Sequence, residues 1–466
     1  MKLNRIMIAA PKSGSGKTVI VCALLKALKN RGEQVVSYKC GPDYIDPMFH
    51  EKVIGIPSKN LDTFFTGEDV TRKLFIKNRT EKDFAVMEGV MGLFDGLGEI
   101  REEGSSYHLA KVTKTPIVFV IDVKGMGYSV IPLIAGFLKY DKEYLIQGVI
   151  LNKMSKPYYE MIKPRIEDEL NIKVLGYLPD QKEIHMESRH LGLVMPDELT
   201  NIQKRLQAIS EELEKTVEVD TIKHIAEQAG ELIDIPEGMN KETCFEYKES
   251  GRPVIAVARD EAFCFYYEDN LLMLQEKGAE IIYFSPLHDS KPPDRCDAML
   301  IGGGYPELYV NELSQNVGMK NAIRCVFDKG MPVVAECGGF MYLHDAIIDK
   351  DGVSHAMVGI IPAACSYKGR AVRFGYVEIK EKKGCFLPEK QLIKGHEFHY
   401  FDSTDNGDCC IAVKPTTGRE YSCVMTGENY WLGFPHLYYP SNEFFAVNFV
   451  KKAEEYKKKR GLQNMP

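Results

Sequence analysis

Short apolar runs alternate with helical stretches along the first half of the chain. The runs cover residues 6–10, 34–38, 84–88, 116–122, 148–152 and 174–179. Runs of this length are typical of strands buried on both faces, whereas residues 19–28 have apolar positions at helical spacing. Strands that alternate with helices in this way form a mostly parallel sheet. The pattern therefore predicts an α/β domain with helices flanking the sheet.

The second half of the chain repeats this pattern after a polar segment. Residues 236–251 contain proline, glycine and many charged residues, which is typical of an inter-domain linker. New apolar runs follow at residues 254–258, 280–284, 298–301 and 331–335. A chain of 466 residues is also too long for one ordinary core. We therefore predict one α/β domain over residues 1–235 and a second, also with a mostly parallel sheet, over residues 252–466.

Composition narrows the class of protein. Hydrophobic residues make up 44% of the chain and charged residues 27%, as in soluble globular proteins. The net charge of −7 predicts no basic surface for nucleic acid, and no apolar stretch approaches the roughly 18 residues of a membrane span. The 12 cysteines have neither zinc-site spacing nor a secretory context. We therefore expect a cytoplasmic protein with reduced thiols that acts on small molecules.

The segment after the first predicted strand has the composition of a phosphate-binding loop. Two glycines let backbone N–H groups turn toward phosphate oxygens, a lysine reaches the β- and γ-phosphates, and a hydroxyl binds Mg²⁺. The residues expected to contact ATP here are Gly14, Ser15, Gly16, Lys17 and Thr18. Pro11 stands where this motif normally begins with glycine. The remaining match between strand and helix still predicts nucleotide binding.

Polar residues close several of the neighbouring predicted strands. Asp43 and Asp46 lie on a loop bracketed by glycine and proline, where they could bind Mg²⁺ or substrate, or form an ordinary Asx turn. Glu88 ends the third strand, as a Walker-B magnesium ligand does, and Asp95 lies on the glycine-rich loop beyond it. Asn152 ends the fifth strand, where it could contact adenine. The predicted magnesium ligands are Thr18, Asp46 and Glu88.

A cysteine at a predicted strand-to-helix turn is the strongest candidate nucleophile. Cys337 and Gly338 follow the apolar run at 331–335 and precede a stretch that can continue as a helix. This pattern is typical of a nucleophile elbow with cysteine in place of serine, and a helix N-terminus favours the thiolate. The N–H groups of Gly338, Gly303 and Gly304 could hold an oxyanion. A buried structural thiol is the alternative interpretation of Cys337.

A cysteine nucleophile needs a base, and three histidines are candidates. His396 and His399 lie in the segment 395–400, and His436 lies on a loop before the last predicted helix. Spacing along the chain does not choose among them. Arg189 lies in a segment with two histidines and could hold a substrate carboxylate, but composition leaves its role undecided.

Taken together, these motifs make the chain resemble the cobyrinic acid a,c-diamide synthase family nearly from end to end. The matching segments, in order, are residues 13–18, 41–47, 88–96, 189–193, 303–307, 336–339 and 395–400. The resemblance implies an ATP domain of the P-loop NTPase type, similar to dethiobiotin synthetase, joined to a flavodoxin-like class I glutamine amidotransferase domain. It also implies ATP- and Mg²⁺-dependent amidation of the a- and c-acetate side chains of cobyrinic acid in cobalamin biosynthesis. That reaction would proceed through an acyl phosphate and through ammonia released from glutamine.

The resemblance further implies roles for individual residues. Cys337 is the expected glutaminase nucleophile and His436 its partner. The residues expected to line the synthetase site are Asp43, Ile45, Asp46, Glu88, Asp95 and Arg189. Many class I glutaminases place a glutamate two residues after the histidine, but Tyr438 stands there, so the third member of the triad is left open.

The sequence leaves two other functions open. A nickel-sirohydrochlorin a,c-diamide synthase shares the same motifs, and a regulatory P-loop ATPase could carry an inactive glutaminase-like scaffold. The metal in the macrocycle, the order of the two amidations and the formation of a homodimer are also open.

Overall fold

The computed structural model describes residues 2–77, 79–80, 82–180, 196–232 and 251–463. The chain forms two compact units, Met1–Gly238 and Met239–Pro466. The division between them falls within residues 233–250, outside the described residues, so the linker at 236–251 stays a prediction. None of the described helices is both long and apolar enough to cross a membrane.

The N-terminal unit is built on one seven-stranded sheet in which every strand pairing is parallel. The strands are β1 (Asn4–Ala9), β2 (Gln34–Cys40), β3 (Ser58–Leu61), β4 (Asp83–Glu88), β5 (Ile117–Asp122), β6 (Ile146–Asn152) and β7 (Lys173–Leu178), in the spatial order β3-β2-β4-β1-β5-β6-β7. The helices are α1 (Lys17–Asn30), α2 (Ile45–Phe49), α3 (Thr63–Ile76), α4 (Ser106–Val112), α5 (Val130–Tyr140), α6 (Lys156–Leu170), α7 (Pro196–Thr216) and α8 (Val219–Glu227). Short 3₁₀ and π turns cover Leu97–Glu99 and His50–Ile54. The predicted parallel α/β sheet is confirmed, although β3 was not predicted, because its Ser-Lys-Asn-Leu sequence has only one apolar residue.

The sheet of the N-terminal unit separates two apolar cores. Successive residues of β1 point to opposite faces, so Ile6 and Ile8 join the core under α1, whereas Met7 and Ala9 join the core under α5. Burial on both faces explains why the predicted strands are unbroken apolar runs rather than alternating ones. It also means that polar groups at the strand ends, rather than on the faces, are available to a ligand.

The C-terminal unit has a six-stranded central sheet. Its strands are β8 (Val254–Ala258), β9 (Glu280–Phe284), β10 (Ala298–Ile301), β11 (Val333–Glu336), β20 (Met425–Thr426) and β21 (Tyr430–Gly433), in the order β20-β21-β11-β10-β8-β9. All pairings are parallel except that of the edge strand β20. The helices are α9 (Glu268–Glu276), α10 (Val310–Gln315), α11 (Val317–Asp328), α12 (Gly338–Tyr342) and α13 (Phe444–Gln463), with 3₁₀ turns at Pro306–Leu308 and Tyr439–Ser441. The predicted parallel sheet is confirmed for this part of the unit.

Two further sheets complete the C-terminal unit, and the sequence did not predict them. The four-stranded sheet contains β12 (His344–Ile348), β13 (Ser354–Ala356), β14 (Ile361–Tyr367) and β17 (Phe401–Ser403). The five-stranded antiparallel sheet contains β15 (Arg373–Glu381), β16 (Leu392–His399), β18 (Cys410–Val413), β19 (Glu420–Cys423) and β22 (His436–Leu437). Polar residues are interspersed with apolar ones along strands such as β14 and β15, because much of each strand is only partly buried. An unbroken apolar run, the signal used for the other strands, is therefore missing.

Candidate active site

The loop after β1 has the backbone of a phosphate-binding loop. Gly14 and Gly16 both have positive φ, 75° and 92°, which favours glycine. A Cβ on Gly16 would lie 2.2 Å from the side-chain nitrogen of Asn152, so no larger residue fits there. Asn152 Nδ2 donates a hydrogen bond to the Ser15 carbonyl at 2.9 Å. Asn152 thus braces the loop, and its contact with adenine stays a prediction.

The Lys17 ammonium is held at this loop by uncharged acceptors. Its Nζ donates to the carbonyls of Met91 at 2.5 Å and Lys12 at 3.2 Å. Burial, together with the charge of Lys39, lowers the pKa of Lys17 to about 8. A buried ammonium that contacts only carbonyls gains most from an incoming anion, so Lys17 is suited to bind phosphate.

Buried charges meet behind the loop at the ends of β2 and β4. Thr18 Oγ1 donates to Glu88 Oε1 at 2.6 Å, and Lys39 Nζ donates to the same oxygen at 2.9 Å. Lys39 also pairs with Asp46. Burial and the neighbouring charge of Asp46 raise the pKa of Glu88 to about 7. Burial alone would raise the pKa of Asp46, but Lys39 holds it below its ordinary value. The structure thus brings Thr18, Asp46 and Glu88 together.

The other predicted synthetase residues lie on the loops around this cluster. Asp43 Oδ1 accepts from the N–H groups of Ile45 at 2.8 Å and Asp46 at 3.3 Å, which is the Asx turn that the sequence left as an alternative. Asp43 also lies 3.9 Å from the Lys39 ammonium. Asp95 Oδ2 accepts a hydrogen bond from Gly92 N at 2.9 Å. The negative charge of Asp95 favours the protonated form of Lys17 and so opposes the lowering of its pKa by burial. Arg189 lies outside the described residues.

Two residues of the cluster, Lys39 and His50, were missed by the sequence reasoning. Lys39 is a charged residue near the end of an apolar strand, the same signal that identified Glu88. His50 is fully buried; its Nδ1 lies 2.8 Å from Ser37 Oγ and its Nε2 lies 3.6 Å from Glu88 Oε2. No sequence signal indicates His50, because the π turn that begins there brings it to Glu88.

The donor set of the cluster fits a magnesium ion bound together with phosphates. Across the ranges that the structure describes, no group of three or more His, Cys, Asp and Glu side chains is arranged to hold a metal. Mg²⁺, however, usually takes one or two carboxylates and completes its shell with water and phosphate oxygens. The hydroxyl of Thr18 and the carboxylate of Glu88 already meet, and Glu88 Oε2 has no hydrogen-bond partner among the described residues. Asp46 reaches the same cluster through Lys39, which pairs with both carboxylates.

Cys337 lies on a strained turn between β11 and α12. Its backbone has φ 47° and ψ −104°, which is unfavourable for a residue with a Cβ and typical of a nucleophile elbow. The Cys337 N–H donates to the Gly433 carbonyl at 2.9 Å, which ties the turn to β21. The residue is 7% exposed. The geometry is that of the predicted elbow.

The glycine-rich loop after β10 lies against both Cys337 and His436. A Cβ on Gly303 would be 2.3 Å from His436 Cε1 and 3.4 Å from Cys337 Cβ, so the cysteine and the imidazole flank one glycine. A Cβ on Gly338 would be 3.2 Å from the Gly304 nitrogen. The three glycines predicted to hold an oxyanion therefore lie together beside Cys337.

Burial controls the protonation of both predicted catalytic side chains. Burial, with a further contribution from Glu307, raises the pKa of the Cys337 thiol. Desolvation makes the largest contribution to this shift, and the effect of the helix N-terminus on the thiolate stays a prediction. Burial and the neighbouring His399 lower the pKa of His436 to about 3. The imidazole is therefore neutral at pH 7 and can accept the proton of the thiol.

The two other candidate histidines lie close to His436. His396 pairs with His436 across β16 and β22, and the two rings stack with centroids 4.9 Å apart. The Nδ1 atom of His396 lies 3.0 Å from the Tyr267 hydroxyl. His399 stacks on Phe434 at 4.0 Å. Of the three, His436 is the one placed against the glycine beside Cys337.

Glu336, the residue before Cys337, supports the segment that carries His436. Its carboxyl accepts from the Leu437 N–H at 3.3 Å and from the Tyr439 hydroxyl at 3.5 Å. Burial raises the pKa of Glu336 to about 8. Tyr438, which occupies the position of the usual triad glutamate, instead donates to Asp269 at 3.0 Å. Glu336 therefore positions the backbone next to the imidazole, a role that the sequence did not suggest.

Replacing Gly303 by alanine is expected to impair glutamine use without unfolding the protein. The new methyl group would overlap the His436 ring, and a displacement of about 1 Å in a catalytic group can reduce turnover roughly 10²-fold. The rate of glutamine hydrolysis tests this. Gly461→Ala is the control, because a Cβ there meets nothing within 4 Å. Full activity in Gly303→Ala would contradict the assigned geometry.

Two family models match the two regions of the chain that carry these sites. The family model described as the CobQ/CobB/MinD/ParA nucleotide binding domain matches residues 6–194. The one described as the CobB/CobQ-like glutamine amidotransferase domain matches residues 254–443. Together with the phosphate-binding loop and the cysteine elbow, these matches define the class: a glutamine-dependent amidating ligase with a P-loop nucleotide-binding domain.

Full-length relatives identify the family within this class. The cobyrinate a,c-diamide synthases of Caldanaerobacter subterraneus subsp. tengcongensis and Thermoplasma volcanium are 38% and 37% identical, over 92% and 99% of this chain and 94% and 100% of their own lengths. The cobyrinate a,c-diamide synthase of Priestia megaterium is 35% identical over 99% of both chains. The chain belongs to the cobyrinate a,c-diamide synthase family.

Proposed function

We propose that this protein amidates the a- and c-acetate side chains of cobyrinic acid, with ATP as the energy source and glutamine as the nitrogen donor. The observation that carries the proposal is the strained, buried Cys337, which flanks Gly303 together with His436, in a chain whose other unit carries a phosphate-binding loop. Neither feature alone would indicate amidation. Together they could supply the two steps that amidation requires, which are release of ammonia and activation of an acid.

The C-terminal unit would supply ammonia. Cys337 Sγ attacks the amide carbon of glutamine, while His436 takes the thiol proton and passes it to the departing nitrogen. The negative charge on the amide oxygen is held by the N–H groups of Gly303, Gly304 and Gly338. Ammonia leaves, and water then hydrolyses the γ-glutamyl thioester to glutamate and regenerates the thiol.

The N-terminal unit would activate the acid. A carboxylate is a poor electrophile, so transfer of the γ-phosphoryl group from ATP first converts it to an acyl phosphate, from which ammonia displaces phosphate. Lys17 would stabilise the charge on the phosphates, and Asp43, Asp95 and Ile45 would line the site of the acid. Thr18 and Glu88, with Asp46, would hold Mg²⁺, which neutralises phosphate charge when bound.

The test is mass spectrometry of products formed from ATP, glutamine carrying ¹⁵N in its amide, and a panel of tetrapyrrole acids. Cobyrinic acid is expected to gain two labelled nitrogens. Amidation of nickel-sirohydrochlorin alone would favour the nickel-sirohydrochlorin synthase instead. ATP hydrolysis without glutamine hydrolysis or any amidated product would support the regulatory ATPase with an inactive scaffold.

A further inference from the structure

Glu307 lies next to the nucleophile elbow but has no part in the chemistry described above. It belongs to the 3₁₀ turn Pro306–Leu308, which follows the glycine-rich loop. The Pro306 ring lies against the elbow, since a Cβ on Gly338 would be 2.8 Å from Pro306 Cδ. Glu307 itself is half-buried. Glu307 thus follows directly on a residue that packs against the elbow, and it is not fully enclosed.

Glu307 has no cationic partner in the part of the chain that the structure describes. Among the carboxylates around Cys337, Glu307 has the largest effect on the thiol, ahead of Glu397 and Glu336. Burial raises the pKa of Glu307 to about 7, and only its own backbone N–H opposes this shift. No described lysine, arginine or histidine forms an ion pair with it. Because a desolvated carboxylate without a cation is costly, the site is suited to a cationic ligand.

We propose that Glu307 binds the α-ammonium group of the substrate glutamine. The inference rests on the proposed glutaminase function and adds the subsite that selects an amino acid over a simple amide. Glutamine carries its cation on the same short chain as the amide that Cys337 attacks, so one molecule can reach both groups. Binding would also neutralise the Glu307 charge, which otherwise opposes formation of the thiolate. The thiol would then be activated only when the correct substrate is present.

The proposal is tested by labelling Cys337 with two reagents. The first is a diazoketone analogue of glutamine, which keeps the α-ammonium group; the second is iodoacetamide, which lacks it. In Glu307→Gln, labelling by the diazoketone is expected to slow by about 10- to 100-fold, as for the loss of a charge-assisted hydrogen bond. Labelling by iodoacetamide is expected not to slow. Glu312→Gln is the matched control, because Glu312 is exposed on α10.

A second measurement separates binding from damage to the fold. The wild-type protein is expected to hydrolyse glutamine much better than glutaramate, which lacks the α-amino group, and Glu307→Gln is expected to lose that preference. An unchanged preference, or equally fast diazoketone labelling, would overturn the ammonium site while leaving the glutaminase intact. If the diazoketone does not label Cys337 in the wild type, both the glutaminase function and the subsite are wrong. Thermal melting of the variant establishes that it is folded.

Discussion

Cys337→Ser is expected to abolish glutamine-dependent amidation while amidation with added ammonia continues. Serine fits the space of cysteine, but its hydroxyl is much harder to deprotonate and His436 is a weak base in this buried site. We expect glutamine-dependent turnover to fall by about 10³-fold or more. Ammonia supplied from solution bypasses the thiol, so the synthetase unit should still form the amide.

The measurement compares product formation with glutamine and with ammonium chloride at a pH where some free ammonia is present. Cys365→Ser is the matched control, because Cys365 is also a buried cysteine of the C-terminal unit but lies on β14 rather than at the elbow. It is expected to melt at a lower temperature and to keep glutamine-dependent turnover. If Cys337→Ser retained that turnover, Cys337 could not be the nucleophile. Loss of both activities with a lowered melting temperature would indicate a folding defect.

The parts of the fold that the sequence predicted are those in which burial is complete. β1, β4 and β5 are apolar on both faces, so they appear as unbroken runs whatever surrounds them. β15 reads Arg-Phe-Gly-Tyr-Val-Glu-Ile-Lys-Glu, and most of its residues are exposed or half-buried. Its place in a sheet depends on pairing with β16, the next strand along the chain, and with β18 further on. Such tertiary pairings are not encoded in a local pattern.

The residues of the candidate sites also fall into two groups, those that a local motif predicts and those that only long-range contacts bring into place. Lys17, Glu88 and Cys337 were identified because each belongs to a short motif at or after a strand. In the structure Glu88 closes β4, Cys337 directly follows β11, and Lys17 begins α1 after the loop that follows β1. The sequence alone could not choose His436 over His396. The two histidines become neighbours only when β16 pairs with β22, which stacks their rings. Glu336 supports that segment through contacts about 100 residues along the chain. Long-range contacts of this kind carry no signal in sequence spacing.

Lys17→Ala is expected to abolish amidation with either nitrogen source and to leave hydrolysis of glutamine at Cys337 unchanged. The Lys17 ammonium is buried between the carbonyls of Met91 and Lys12 at the phosphate-binding loop. Removing a charge that stabilises the transferring phosphoryl group should lower the rate by about 10²-fold or more. Lys17→Arg should fail as well, since a planar guanidinium does not fit the space of a compact ammonium.

The assay measures amide formed from cobyrinic acid with glutamine and, separately, with ammonia, and it measures glutamate release in the same samples. Lys12→Ala provides the control: Lys12 lies on the same loop with an exposed side chain, and only its backbone carbonyl contacts Lys17 and Ser15. That variant should amidate normally. Amidation by Lys17→Ala at the normal rate would show that the phosphate-binding loop does not activate the acid. Because Cys337→Ser loses only the use of glutamine and Lys17→Ala loses amidation itself, the two variants together assign release of nitrogen and activation of the acid to different units.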